Sequence, residues 1–213
     1  MKENLKSLRN FIDRIDRKIL QLLKKRISYA KKLREYKKSP YDPFREKEIL
    51  EKMKNGKFQP IFREIISLCR GEEGNFRIFI PESDLYPLIL KRFFGEKVDC
   101  KVLKREEDCL QKTKMNKGFA FLEMKMKNLL NIQKENLKIL WVGSMKIKGR
   151  RKRFLLAGKE VYENISKFPA FVMMVKKQKN RLVFFEKRVE NARELKKLEK
   201  GSIVGVYPPE EKI

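Results

Sequence analysis

Four charged residues stand where this sequence otherwise repeats apolar side chains at helical spacing. Near the N-terminus, Leu5, Leu8, Ile12, Ile15, Ile19, Leu22, Ala30 and Leu33 recur with that period. Continuing the stripe by four from Leu22 reaches Arg26, and by four from Leu33 reaches Lys37. These two are 11 residues apart, which places them about 20° from eclipsed and roughly 16 Å apart on one helix. Arg9 lies four after Leu5 and three before Ile12, at the edge of the same stripe. Further on, Glu46 lies three and four before Ile49 and Leu50. A single such residue is explained by a long side chain snorkelling to water. Three cations and a carboxylate together point to an inward-facing site. Buried cations need anionic partners, and acidic residues on those faces are too few, so a dianionic ligand would complete it. Arg9 is 17 residues from Arg26, roughly 25 Å along a helix and too far to share a small pocket within one chain.

What the chain lacks bounds the chemistry of such a site. The 213 residues include no histidine. That excludes Ser-His-Asp and Cys-His nucleophiles, histidine metal sites and histidine acid–base work. Cys69, Cys100 and Cys109 are an odd number at no metal spacing, so neither a disulfide scaffold nor a metal site is expected. No cofactor is expected either; Arg, Lys, Glu and Asp must do the work. Lys and Arg number 54 against 28 Asp and Glu, a net +26, in a chain 41% apolar. The excess is spread, +10 through residue 75 and +16 beyond it. Spread basic charge suits anionic metabolites, nucleic acid or a solvated lysine surface. No nucleic-acid module accompanies it, so nucleic acid is not the expected partner. No apolar run approaches the roughly 18 residues of a membrane span. Met1-Lys2-Glu3-Asn4 opens into charged amphipathic sequence, so a cytoplasmic location is expected.

The elements that must position these residues follow from period and punctuation. Residues 3–38 hold no Gly or Pro and predict one helix, roughly 50 Å long. That is longer than a domain of this size is wide, so it is expected to pack along another long helix, such as one from a second chain. Asp42-Pro43 restarts a helix to about Lys54, and Pro60 opens a third through about Arg70, ended by Gly71 and Gly74. After Gly74 the pattern becomes α/β. Strands are predicted at Phe76–Ile80, Val98–Leu103, Gly118–Leu122 and Leu137–Val142, with helices at Leu85–Phe94 and about Glu106–Thr113. From residue 150 the order reads β-α-β-β-α-β, with helices at Glu160–Ser166 and Asn191–Lys200, which is the ferredoxin-like pattern. The expected organisation is an all-α unit over 1–73, an α/β region over 76–148 and a ferredoxin-like region over 150–213.

Several motifs resemble the all-α chorismate mutases. They are Leu8-Arg9, Ile12-Asp13-Arg14-Ile15-Asp16, Ile19 to Arg26, Lys37, Asp42-Pro43-Phe44-Arg45-Glu46 and Ile61-Phe62-Arg63-Glu64-Ile65-Ile66-Ser67. The matching stretch covers about residues 5–70, and it is most similar to the mutase domain of bifunctional chorismate mutase–prephenate dehydratases. The resemblance implies an intertwined dimer of three-helix chains, in which the first helix of one chain completes the other's site. It implies that Arg9 and Arg26 bind the two carboxylates of chorismate, and that Lys37 donates to the ether oxygen. Arg45 would add to the cationic wall, Glu46 would hold the ring hydroxyl, and Asp42 would shape that end of the site. Two positions depart from the family: Cys69 and Glu73 stand where it has Ser and Gln. That Gln donates to the ether oxygen; an ionised Glu73 only accepts, whereas a protonated Glu73 would donate in its place, unless Gly71 and Gly74 end the helix before Glu73 reaches the pocket.

Residues 76–213 resemble an eroded prephenate dehydratase. Phe93-Phe94-Gly95, Gly118 to Glu123 and Lys152-Arg153-Phe154 fall in the family's order, and Leu182 to Pro208 resembles the end of an ACT module. The dehydratase Thr-Arg-Phe signature reads Lys152-Arg153-Phe154, so its hydroxyl is absent, and the phenylalanine-binding motifs of the ACT module are not visible. The expectation is a chorismate mutase whose C-terminal part lacks dehydratase activity. The alternatives are a mutase-like dimer without catalysis, serving regulation or assembly, and a basic nucleic-acid-binding protein.

Overall fold

The computed structural model describes residues 4–37, 39–53, 56–74, 76–115, 118–159, 169–178, 181–198 and 203–212. The first helix, α1 (Leu5–Leu33), starts where the Asn4 side chain accepts from the Lys6 backbone N–H at 3.2 Å. Its last turn carries Lys31 and Lys32, which suit the negative end of the helix dipole. The helix tightens into a 3₁₀ turn at Arg34–Tyr36, so it ends earlier than Gly and Pro alone suggested. Ser39 then pins the next loop: its hydroxyl donates to the Tyr41 carbonyl and accepts from the Tyr41 N–H. The second helix, α2 (Pro43–Glu51), has Pro at its start and Asp42 as N-cap, whose carboxylate accepts from the Arg45 N–H at 2.9 Å. The third, α3 (Gln59–Glu73), runs through Gly71 and stops at Gly74, where φ is 70°. Gly71 was expected to end it; one glycine weakens a helix by only about 1 kcal/mol, and packing overrides that.

Beyond Gly74 come β1 (Arg77–Pro81), α4 (Leu85–Phe94), β2 (Asp99–Leu103), α5 (Glu106–Lys114), β3 (Phe119–Glu123), α6 (Met126–Lys134), β4 (Lys138–Ile147) and β5 (Arg150–Gly158). After them lie β6 (Ala170–Gln178), β7 (Arg181–Val189), α7 (Ala192–Lys196), β8 (Ile203–Tyr207) and β9 (Glu211–Lys212). All nine strands share one mixed sheet in the order β2-β1-β3-β5-β4-β8-β6-β7, with β9 paired on β4. The sheet alternates its side chains between two cores. Phe79, Ala120, Leu122, Leu155 and Ala157 join Leu110 of α5 and Ile132 of α6 on one face. Ile78, Ile80, Phe121, Trp141 and Leu156 join Phe93 and Phe94 of α4 on the other.

Two expectations about this region change. The boundary expected near residue 150 falls inside a hairpin: β4 and β5 pair from Lys138–Gly158 to Ile147–Arg150 across the two-residue turn Lys148-Gly149. Both turn residues have positive φ, 48° and 77°, the conformation that suits a tight hairpin. With β4 seated between β5 and β8, the strands from residue 150 onward do not adopt the ferredoxin-like order. Helix α6 was not anticipated, although Met126, Leu129 and Leu130 have helical spacing. The helix expected over 160–166 lies outside the described residues.

Head and sheet are joined by side chains. Tyr41, only 1% exposed, inserts among Phe76, Phe94 and Phe119, with ring centroids 5.2, 5.9 and 6.1 Å away. By contrast, the apolar stripe of α1 faces water. Leu5, Leu8, Ile12, Ile15, Ile19 and Leu22 are 40–65% exposed, and only Ala30 of this helix is buried. Replacing Tyr41 by Ala should lower unfolding free energy by about 3–5 kcal/mol, the usual loss for a fully buried aromatic. Denaturant titration checks this; an unchanged midpoint would show that the head is not anchored through that ring.

Candidate active site

The seam between α1 and α3 gathers four of the residues singled out in the sequence. Arg26 donates through Nη1 to the Cys69 sulfur, and to the Ile65 carbonyl at 3.4 Å. Eleven residues on, Lys37 pairs through Nζ with Glu73 Oε2 at 2.7 Å. Cys69 and Glu73 are one turn apart on α3 and both are buried. The four side chains therefore form two rungs against α3, one from α1 and one from Lys37, which lies past the 3₁₀ turn in extended backbone and not on the helix its spacing predicted. Because α3 continues past Gly71, Glu73 points inward at 5% exposure. Burial pushes the Cys69 thiol above its ordinary range, outweighing the nearby Arg26 guanidinium. It is a neutral thiol at physiological pH.

The other expected residues lie apart from these rungs. Arg9 is exposed on α1, about 25 Å of helix from Arg26. Asp42 is exposed and serves as the N-cap of α2. Arg45 is exposed and pairs with Glu48 at 2.7 Å, one turn along its own helix. Glu46 is turned inward and meets Arg70 of α3, Oε1 to Nε, at 3.3 Å. Glu46 and Arg70 also line a cavity of about 200 Å³ with Phe93, Phe94 and Trp141. Arg70 is the residue that sequence reasoning passed over. It lies four after Ile66 on the inward face of α3, so the test that marked Arg26 and Lys37 also marks it.

With this geometry in place, comparison with known proteins becomes informative. Residues 8–74 match the family described as chorismate mutase type II. A curated relative, the bifunctional chorismate mutase/prephenate dehydratase of Aquifex aeolicus (strain VF5), is 36% identical over 111 residues. That match covers 44% of this chain and 31% of the relative, so the chain spans about a third of the length of the curated relative it matches. Among solved structures, one titled "GqqA- a novel type of quorum quenching acylases" aligns with a TM-score of 0.46 and 12% identity, covering 63% of this chain and 96% of that one. The prephenate dehydratase of Streptococcus mutans aligns at 0.44 and 13%, covering 62% and 97%.

In the sheet, residues at the dehydratase-like positions are tied to one another. Lys152 and Lys125 reach the two oxygens of Glu123, at 3.3 and 2.9 Å. Burial disfavours the Glu123 charge, but these lysines outweigh it and hold the carboxyl below its usual range. Arg153 grips Glu186 through both Nη atoms, at 3.0 and 2.6 Å, and the Tyr207 hydroxyl donates to the same carboxylate. Among the described residues there is no cluster of acidic or thiol groups that could hold a metal, and no helix long and apolar enough to cross a membrane.

The raised Cys69 pKa sets a reactivity. Only the thiolate attacks alkylating agents, so native Cys69 should resist iodoacetamide at pH 7 and react quickly once unfolded. Its native reactivity should rise only at pH values above the ordinary thiol range. Peptide mapping after timed alkylation checks this; fast native labelling at pH 7 would mean that Cys69 is neither buried nor protonated.

Proposed function

We propose that this chain rearranges chorismate to prephenate, a step of aromatic amino-acid biosynthesis. The observation that carries the reading is the convergence of Arg26 and Lys37 on α3, inside the stretch that matches the mutase family. The reaction is a pericyclic shift in which one C–O bond breaks as a C–C bond forms. It needs no nucleophile, proton shuttle or redox group, and a histidine-free pocket of Arg, Lys and Glu can serve it. The site must select the compact conformer of the substrate and stabilise charge growing on the ether oxygen with preplaced donors.

In this reading Arg26 holds one carboxylate and Lys37 donates to the ether oxygen. An ammonium has three N–H donors, so the pair with Glu73 is compatible with that bond. Glu46 holds the ring hydroxyl, Arg45 adds positive potential, and Asp42 and Cys69 shape the walls. Arg9 cannot reach the Arg26 pocket of its own chain, and the stripe beside it on α1 is exposed and apolar. A second copy laid along α1 would cover the stripe and bring its own Arg9 to the pocket, so the working unit is a homodimer with shared sites. The sheet region is read as lacking dehydratase activity, because Lys152, held on Glu123, stands where the family places a hydroxyl. Three free thiols suit a reducing cytoplasm. One observation favours a non-catalytic, assembly-type reading: Arg26, Lys37, Arg45 and Glu46 all have partners within the chain.

Purified protein should consume chorismate in the presence of EDTA, followed by loss of ultraviolet absorbance. It should release no phenylpyruvate from prephenate beyond an enzyme-free control. Arg26→Ala and Lys37→Ala should each lower kcat/KM by about 10²–10³-fold, the usual effect of removing one preplaced charged donor. Wild-type turnover in either variant would refute the site assignment, and an inert wild-type protein would favour the non-catalytic reading.

The shared site has its own test. Arg9→Ala and Arg26→Ala proteins should each be nearly inactive, yet regain activity when co-refolded, because a heterodimer has one site with both arginines. No recovery in verified heterodimers would mean that each site is built within one chain.

A further inference from the structure

Arg70 is a cation almost wholly removed from water, at 6% exposure, and it touches α2, α4 and Phe76, the residue just before β1. Through Nη2 it donates to the carbonyl of Phe94, the last residue of α4, at 2.7 Å. That carbonyl is among those a helix leaves unpaired at its C-terminus, where positive charge is also favoured. The guanidinium lies over the rings of Phe76 and Phe94, 4.8 and 5.4 Å from their centroids. On its remaining side, Nε meets Glu46 of α2 at 3.3 Å. Arg70 is thus fixed to the sheet region by two rings and a carbonyl, and what it holds out is the carboxylate of α2. It directly follows Cys69, so the partner of Glu46 is the next residue of α3 after the Arg26 rung.

Neighbouring contacts make the mounting stiff. Ser67 accepts from the Lys97 N–H, and Glu64 from the Glu96 N–H, both at 3.0 Å. The approach is close enough that Gly95, at φ 84°, has no room for a side chain: a Cβ there would lie 2.5 Å from Ser67 Cβ. Lys47 of α2 donates to the Pro209 carbonyl at 2.7 Å.

We propose that Arg70 is a positioning residue of the mutase site, through which the sheet region fixes the carboxylate of Glu46. This rests on the mutase reading, which gives Glu46 the ring hydroxyl of chorismate. A carboxylate offers about four acceptor positions, so an ion pair at Oε1 is compatible with holding that hydroxyl. The planar guanidinium fixes where its charge stands, with Nη2 on the Phe94 carbonyl and Nε facing Glu46 as an ion pair without a hydrogen bond, a mounting that an ammonium does not reproduce. The sheet region thereby acquires a task in the head's reaction without chemistry of its own.

The test is a double-mutant cycle on the full chain, read with chorismate kinetics and melting. Arg70→Met should lower kcat/KM by about 10²-fold, the scale of an ångström-sized misplacement of a reacting partner. Arg70→Lys keeps the charge and loses the fork, and should fall between the two; it also serves if Arg70→Met does not fold. In a Glu46→Gln background, either Arg70 change should lower kcat/KM by no more than about twofold, because residues acting through one another are not additive. Wild-type kinetics in a folded Arg70 variant would overturn the proposal. So would an Arg70 effect that multiplies in full onto that of Glu46→Gln, which is what a purely structural role gives. Should the wild-type chain not turn over chorismate, the mutase reading itself fails and the positioning role falls with it. Melting of the same four proteins then tells whether the contact survives: coupled losses mean that the ion pair forms without serving catalysis, and independent losses mean that it does not form.

Discussion

Charge taken out of water must find a partner, and the head of this chain is built around that constraint. Arg26 is partly buried, Lys37, beyond the 3₁₀ turn, reaches from a more exposed position to the buried Glu73, and Arg70 is buried. The first two are met on α3 by a sulfur, a carbonyl and a carboxylate. The third is met by a carboxylate of α2, a carbonyl of α4 and two aromatic faces. An unpaired buried guanidinium would destabilise the fold by several kcal/mol. These contacts therefore fix how the three helices lie as firmly as apolar burial does.

A second constraint is the exposed stripe of α1. A 29-residue helix with one buried side chain gains little from its own chain, and isolated helices draw most of their stability from packing an amphipathic face. The stripe and the distance of Arg9 from Arg26 pose one problem, since the surface left bare is also the surface that carries the distant cation. The proposed homodimer, with a second copy along α1, would resolve both.

The sheet region packs a cluster of buried aromatic side chains and anchors α2 and α3 through Tyr41, Ser67 and Arg70. Its own charged cluster, Glu123 with Lys125 and Lys152 and Glu186 with Arg153, is closed by mutual ion pairs. Closed pairs support a fold, whereas a dehydration site needs a group free to give up a proton.

The sequence by itself determined the elements whose signals are local. A long run without Gly or Pro, the Asp42-Pro43 start and the change of period after Gly74 yielded α1, α2 and the switch to α/β structure. Helical periodicity gave the face of Arg26, whereas Lys37 lies past the end of α1 in extended backbone, so its place opposite Glu73 was set by the tertiary structure. Whatever depended on distant partners needed the tertiary structure. The sheet order was one such feature: β4 enters between β5 and β8, and strand composition does not say which strands will be neighbours. The end of α3 was another. Gly71 reads as a stop, but α3 runs on to Gly74, with Cys69 meeting Arg26 of α1 and Glu73 meeting Lys37 beyond it. Arg70 was legible as a cation on an apolar face, yet its partners come from α2, α4 and the sheet, 24 residues away in the case of Phe94. Periodicity reports which way a side chain points; only the assembled fold supplies what stands there to meet it.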